Sequence, residues 1–245
     1  MELDISIHAV DHCNYYCFSC SDCSPILPKR VYRAEEYIGL FQKLETYCVV
    51  PNIYIMGGEP TLHPNLSDFI SEIRKNTAET KITLITNGWW LNHHEKFDDV
   101  LSIIDALNFS PHPQRTLSNA EVISALDAIH DKYGIYAGWR WTNSFVVFET
   151  TDVPDANEVT CCYFRTCCQM TPKGLTACFR VAHAPENICS ASFNKLRHTG
   201  VFDVMNGDES QLSEWLSRYP ECCKYCVYWL KVYHDMGFDP SPQGA

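Results

Sequence analysis

Basic residues are scarce in this chain: 19 Lys and Arg stand against 30 Asp and Glu, a formal charge of −11 over 245 residues. The deficit holds on both sides of residue 150, −8 before it and −3 after. Neither half offers the cationic surface that nucleic-acid phosphates require, so no nucleic-acid partner is expected. No run approaches 18 apolar residues, which excludes a membrane-spanning helix and leaves no expected membrane partner. The opening Met-Glu-Leu-Asp-Ile-Ser-Ile lacks the charged-then-apolar order of a signal peptide. A cytoplasmic protein is expected. Internal repeats and low-complexity runs are missing too. What remains, 46% hydrophobic with 13% aromatics, suits one packed core, or one core with a small appendage.

Cysteine is the exception to this plain composition. There are 14, five in the first 150 residues and nine in the last 95. In a reducing compartment thiols serve metals or catalysis rather than cross-links. The first part therefore reads as a regular fold carrying one cysteine cluster, and the second as a small domain organised by another. The expected division is 1–150 and 151–245.

Short apolar runs of strand length fall at Leu3–Val10, Ile53–Met56, Ile82–Ile85, Ala106–Phe109 and Ile135–Trp141. Helical periods lie between them. Tyr37, Phe41, Leu44 and Cys48 share a face, as do Leu66, Phe69, Ile70 and Ile73. So do Phe97, Val100, Leu101 and Ile104, and then Val122, Ala125, Leu126 and Ile129. Ser118 with Glu121 three residues on predicts a capping box. Alternating strands and helices imply a parallel sheet. The alternation stops near residue 150, short of the roughly 250 residues of a full eightfold barrel. The fold class is α/β: a partial (β/α)5–6 TIM-like barrel with a small Cys-rich domain of β-hairpin and helix after it. Pro172-Lys173-Gly174 marks the hairpin turn. A turn centred on Lys173 sets Cys168 opposite Cys178, close enough to share a cluster. A helix is expected over Glu209–Tyr219, followed by Cys222, Cys223 and Cys226, and the tail from Pro240 is expected to fray.

Three motifs sit at successive strand ends, the face where α/β barrels place their chemistry. After the first strand comes Cys13-Asn-Tyr-Tyr-Cys17-Phe-Ser-Cys20, spaced C-x3-C-x2-C. After the second stands Gly57-Gly58-Glu59-Pro60, and after the third Thr86-Asn87-Gly88. Three thiolates on one tight loop suit an iron–sulfur cluster with one iron left open. Zinc, with Cys23 as fourth ligand, is the alternative on spacing alone. Cys48 lies on a helix stripe and reads as core packing.

The cysteine loop followed by Gly-Gly-Glu-Pro resembles the radical S-adenosylmethionine (SAM) superfamily over roughly residues 3–150. The resemblance implies that Cys13, Cys17 and Cys20 hold a 4Fe–4S cluster and that the SAM amine and carboxylate occupy the open iron. It places the amine against Gly57, Gly58 and Glu59 beside Pro60, with Asn87 or Ser110 against the ribose or carboxylate. It further implies reductive cleavage of SAM to methionine and a 5′-deoxyadenosyl radical, fed by a flavodoxin or ferredoxin. The C-terminal cysteines resemble the twitch form of the SPASM domain, which binds an auxiliary 4Fe–4S cluster. The hairpin argument selects Cys168 and Cys178, and the C-x2-C spacing selects Cys223 and Cys226; a zinc knuckle is the alternative. The layout is similar to that of radical SAM aminocyclitol dehydrogenases, although Gly174 to Cys178 is spaced G-x3-C where that domain usually has G-x4-C.

Three reaction classes remain open at this level. A dehydrogenase would oxidise a sugar-like or other small alcohol and pass an electron to the auxiliary cluster. An epimerase would return a hydrogen atom from Cys161 or Tyr163. A maturase would modify a peptide. Beside these stands a non-enzymatic electron carrier or zinc module, against which Gly-Gly-Glu-Pro argues, since a carrier needs no amine site. Because the chain starts directly at its first strand, with no room for a leader-binding domain, a small-molecule substrate is expected over a peptide. Arg140, at the end of the fifth strand, is a candidate clamp for a substrate oxyanion. His112 is a weaker proton-acceptor candidate, and His93, His94 and His183 carry no signal.

Overall fold

A computed structural model describes residues 1–245 apart from 18, 19, 21, 78, 113, 114, 140–167, 187, 188, 190, 219 and 223–245. Five parallel strands form its first part: β1 Ile5–Val10, β2 Asn52–Gly57, β3 Lys81–Thr86, β4 Ala106–Phe109 and β5 Tyr136–Trp139. A hairpin of β6 Cys168–Thr171 and β7 Gly174–Thr176 joins the free side of β1, and β8 Val201–Phe202 follows. The result is one eight-stranded open sheet in the order β5-β4-β3-β2-β1-β6-β7-β8. It is a mixed α/β arrangement of the partial-barrel kind, and it does not close. Among the described residues no helix is long and apolar enough to cross a membrane.

The two faces of the sheet differ, and the register explains why. Residues paired across strands share a face. On one face Ile5, Ile7, Ile53, Ile55, Ile82 and Leu84 are buried in a single core beneath the helices. Those are α1 Glu35–Leu44, α2 Leu66–Asn76, α3 Asp98–Leu101 and α4 Asn119–Tyr133. The apolar stripes read from the sequence supply their buried sides: Tyr37, Phe41 and Leu44; Leu66, Phe69, Ile70 and Ile73; Val122, Ala125, Leu126 and Ile129. The other, inner face carries Ser6, His8, Thr83, Asn108, Gln169 and Thr176. It is polar.

Ser118 and Glu121 form the reciprocal capping box that opens α4, and Gly134 at φ +69° closes it. The third helical period is shorter than its stripe suggests. A 3-10 segment over Leu91–Phe97, bent at His93, takes its first part and leaves α3 a single turn. Helix α1 likewise ends at Leu44, so Cys48 is buried from the turn beyond it. Past the hairpin lie α5 Phe179–His183, α6 Ala191–Leu196 and α7 Glu209–Ser217, the last starting where the sequence placed it and ending two residues sooner. Asp208 caps α7 by accepting the Gln211 N–H at 2.9 Å.

Candidate active site

The C-terminal ends of β1 to β4 meet at one rim, and glycine geometry fixes how. Gly57 has φ +122°, and a Cβ there would lie 2.1 Å from the Val10 carbonyl oxygen. A Cβ on Gly58 would lie 1.9 Å from the His12 carbonyl oxygen. Both positions require glycine. The close approach lets Gly58 N–H donate to Val10 O at 2.8 Å and Glu59 N–H to His12 O at 3.0 Å. The end of β2 is thereby stitched to the residues that lead into Cys13.

Glu59 organises this rim. Its side chain is fully buried (0% exposed). Oε1 accepts Thr61 Oγ1–H at 2.5 Å, Thr61 N–H at 3.2 Å and Thr86 Oγ1–H at 2.7 Å. Oε2 accepts Asn87 N–H at 2.8 Å. Burial pushes the carboxyl above its ordinary range, against the downward pull of these donors. Asn87 in turn reaches the cysteine loop, its Nδ2 donating to Asn14 Oδ1 at 2.9 Å and to Cys13 Sγ at 3.5 Å. Ser110 is buried at the end of β4, its N–H on Thr86 O at 2.8 Å. Pro60 is buried in the 3-10 turn that Glu59 caps.

Cys13, Cys17 and Cys20 are half-buried on the loop after β1. Cys13 Sγ accepts the Tyr15 N–H at 3.3 Å as well as Asn87 Nδ2–H, and Cys17 Sγ lies 3.3 Å from His112 Nδ1. Burial raises all three thiols to about 11; a coordinated metal reverses that bias by deprotonating its thiols outright. The donor set fits an iron–sulfur cluster, because N–H groups already point at sulfur as they do around cluster thiolates. Cys23 is different. It is 1% exposed and sits at φ +57°, where its carbonyl accepts the N–H groups of Ile26 and Leu27.

One feature carried no local signal in the sequence. His8, on the inner face of β1, places Nδ1 2.9 Å from Asp11 Oδ1 and Nε2 3.1 Å from Asp22 Oδ1. Asp11 also accepts the Tyr32 hydroxyl at 3.1 Å. Asp22 belongs to the cysteine loop, so His8 ties that loop to the sheet. His183, from α5, stacks on the His8 ring. The ligand atoms of His8, Asp11 and His183 converge within 4.8 Å. They suit a proton better than a metal ion, because both nitrogens of His8 already face carboxylates, the arrangement of an imidazolium donor.

The hairpin corrects the expected pairing of cysteines. Thr171 faces Gly174, Met170 faces Leu175 and Gln169 faces Thr176. The turn is thus the two-residue Pro172-Lys173, and Cys168 does not face Cys178. Instead Cys168 pairs with Ile5 and joins the main core. Cys178 packs with Cys189 around a second small cluster of Val181, Phe193 and Cys222. No disulfide joins the described cysteines. Arg140, Cys161, Tyr163, Cys223 and Cys226 lie outside the described residues.

Residues 7–132, more than half of the chain, match the radical SAM superfamily. The chain belongs to that superfamily. It is therefore an enzyme of SAM cleavage and radical chemistry, whose cofactors are a 4Fe–4S cluster and SAM. Among curated relatives it is 32% identical over 97 residues to GTP 3′,8-cyclase of Helicobacter pylori, a stretch covering 38% of this chain and 29% of the cyclase. With GTP 3′,8-cyclase of Staphylococcus epidermidis it shares 31% over 99 residues, again 38% and 29%. The matched stretch spans less than a third of these relatives. In fold the chain resembles BtrN, solved in complex with AdoMet and 2-DOIA, with TM-score 0.52, 15% identity, and 88% of this chain and 87% of that one covered. BtrN in an open conformation also gives 0.52, at 14% identity and 93% coverage of both chains.

Proposed function

We propose that this radical SAM enzyme oxidises a sugar-like or other small alcohol, with Cys13, Cys17 and Cys20 holding the SAM-cleaving cluster and the region 151–245 holding an auxiliary one. When bound, the first cluster supplies the electron that splits SAM into methionine and a hydrogen-abstracting 5′-deoxyadenosyl radical, and the second accepts the electron left on the substrate. The chain's own residues do the rest. Gly57 and Gly58 bring backbone carbonyls close to the rim, where they receive the SAM amine. Glu59 holds Asn87 and Thr86 in place, and Asn87 holds the Cys13 loop. Asn87 and Ser110 stand at adjacent strand ends, within reach of the ribose or carboxylate. Arg140 is kept as a substrate clamp, and Cys161 and Tyr163 as hydrogen donors only under the epimerase alternative.

The observation that supports the oxidation reading is that Cys178 and Cys189, from two separate segments, pack against the small apolar cluster beside the hairpin that contains Cys222. Cys223 and Cys226 complete the candidate ligand set, and Cys168, buried in the main core, is left out of it. Oxidation of an alcohol to a ketone removes one hydrogen atom, one proton and one electron, and only this last electron needs an internal acceptor. An epimerisation has no use for one. A ferredoxin or flavodoxin supplies the initiating electron. The likeness in fold to a protein crystallised with AdoMet and 2-DOIA agrees with a small-molecule substrate.

The test is anaerobic turnover in heavy water of the holoenzyme with SAM, dithionite and a panel of alcohols, read by mass spectrometry. The expected result is one 5′-deoxyadenosine per product, with the product two hydrogens lighter and free of carbon-bound deuterium. A product one mass unit heavier, with one new C–D bond and no hydrogen lost, would replace oxidation by epimerisation and turn attention to Cys161, Cys162 and Cys189.

A further inference from the structure

Gln169 occupies the middle of β6, paired with Ser6 on β1 and Thr176 on β7. That register places its side chain on the inner face, one step along β1 from His8. It is fully buried (0% exposed), and neither Nε2 nor Oε1 has a hydrogen-bond partner. A carboxamide offers two N–H donors and a carbonyl acceptor. Buried and unpaired, both are costly, and a native fold keeps such a group for a reason. Close by, α5 packs on β6 and β7 and sets His183 against His8. The Nε2 of His183 is likewise buried without a partner. Burial and the charges of His8, Arg197 and Arg30 push His183 down to about 2, so its ring is neutral.

Charge on this face is sparse. Among the described residues its one lysine or arginine is Lys81, exposed at the start of β3, the end away from Cys13. Asp11 and Asp22 are engaged by His8. A phosphorylated ligand would find the nearby cations already engaged, His8 by Asp11 and Asp22, Arg30 by Glu36, and Arg197 by the carbonyls of Val181 and Ala184, whereas hydroxyl groups would find a neutral amide and a neutral imidazole.

We propose that Gln169 and His183 form the recognition element for a neutral, hydroxyl-rich ring on the inner face of the sheet. The Gln169 carbonyl accepts one hydroxyl proton, its amide donates to the neighbouring hydroxyl oxygen, and His183 Nε2 meets a third. The assignment deepens the alcohol-oxidation reading and rests on it. It also separates this reading from one in which the ligand is a nucleoside triphosphate.

The test is calorimetric titration of the anaerobically reconstituted, SAM-loaded protein with myo-inositol, glucose and GTP. Myo-inositol or glucose is expected to bind and GTP not to. Gln169→Leu is expected to weaken polyol binding about tenfold or more, the loss of roughly one well-made hydrogen bond. The same substitution should raise the melting temperature of the cofactor-free chain, because an isosteric apolar side chain removes a buried, unpaired amide. A purely structural glutamine would lower it. Unchanged affinity in the variant, a lowered melting temperature, no polyol binding, or binding of GTP in its place would each overturn the proposal. The oxidation reading fails separately. Gln169-dependent polyol binding without a product two hydrogens lighter keeps the recognition element and removes the reaction. Oxidation with an unaltered KM in Gln169→Leu does the reverse.

Discussion

The imidazole rings of His8 and His183 lie parallel, with centroids 3.9 Å apart and 5° between planes, yet the fold pushes their protonation in opposite directions. Burial works against charge on His8, but the hydrogen bonds and charges of Asp11 and Asp22 outweigh it and raise its pKa. Burial, then the charges of His8, Arg197 and Arg30, push His183 down to about 2. Folded His8 holds its proton more tightly than the unfolded chain does. Its contribution is fully present below pH 6.5 and is lost as pH rises through the folded value. Folded His183 refuses a proton that the unfolded chain accepts. Its contribution is present above pH 6.5 and is lost as pH falls toward about 2. The two slopes oppose each other. Denaturant titrations on either side of pH 6.5 should show His183→Phe gaining on the parent as pH falls, and His8→Gln losing ground over the same interval. Parallel pH profiles for both variants and the parent would refute the opposed pair.

Glu59 presents four donors with two carboxylate oxygens. A Glu59→Gln amide has one oxygen and an NH2 group, so at least one donor of Thr61, Thr86 or Asn87 must face another donor. A buried conflict of this kind costs about 1–3 kcal/mol. The urea midpoint of the apo chain is expected to fall with its m-value unchanged, and SAM affinity to fall with it, because Asn87 loses its hold beside Cys13. A variant as stable as the parent would show that the carboxylate does not organise the rim.

Much of this architecture is legible in the sequence because it is periodic. The stripes of α2 and α4 and the apolar runs of β2 to β4 are local patterns that the structure follows, whereas α1 stops at Leu44 short of Cys48 and β1 starts at Ile5 rather than Leu3. The third helix was misjudged because a stripe reports which residues face the core, not whether the backbone between them stays helical; the bend at His93 leaves no mark in apolar spacing. The hairpin register turned on one residue of loop length, and a one-residue change moves every side chain to the other face, taking Cys168 from Cys178 to the main core. The rim motifs were readable because glycine pairs and cysteine spacing are local. His8, Asp22 and His183 were not, since nothing near any one of them names the other two. Gln169 is a single polar residue in a short strand, and only the register of β6 against β1 gives it meaning.

Gly58→Ala isolates the stitching of β2 to the cysteine loop. The added methyl would lie 1.9 Å from the His12 carbonyl oxygen and 2.2 Å from its carbon. Both are backbone atoms, so relief requires moving the segment that leads into Cys13. Overpacking of this kind costs roughly 1–3 kcal/mol. Gly39, where an added Cβ meets nothing within 4 Å, is the control. Chemical denaturation should show a clear loss for Gly58→Ala and none for Gly39→Ala, and the reconstituted Gly58 variant should bind SAM more weakly. Equal behaviour of the two would mean that the close approach of β2 to His12 is not needed.

Iron counting separates the two cysteine groups. Reconstituted parent protein is expected to carry about eight irons, two four-iron clusters. Replacing Cys13, Cys17 and Cys20 together by Ala should leave about four and abolish 5′-deoxyadenosine release with dithionite. Replacing Cys178, Cys189 and Cys222 by Ala should also leave about four. Slow 5′-deoxyadenosine release should persist in that second variant, because its first loop is intact, while alcohol oxidation stops for want of an electron acceptor. Zinc in the anaerobically purified parent, or eight irons in the second variant, would overturn the assignment. The second outcome would also decide where the auxiliary ligands lie. Cys178, Cys189 and Cys222 would then be a packed thiol core, and the acceptor would rest on the other C-terminal cysteines, Cys223 and Cys226 among them.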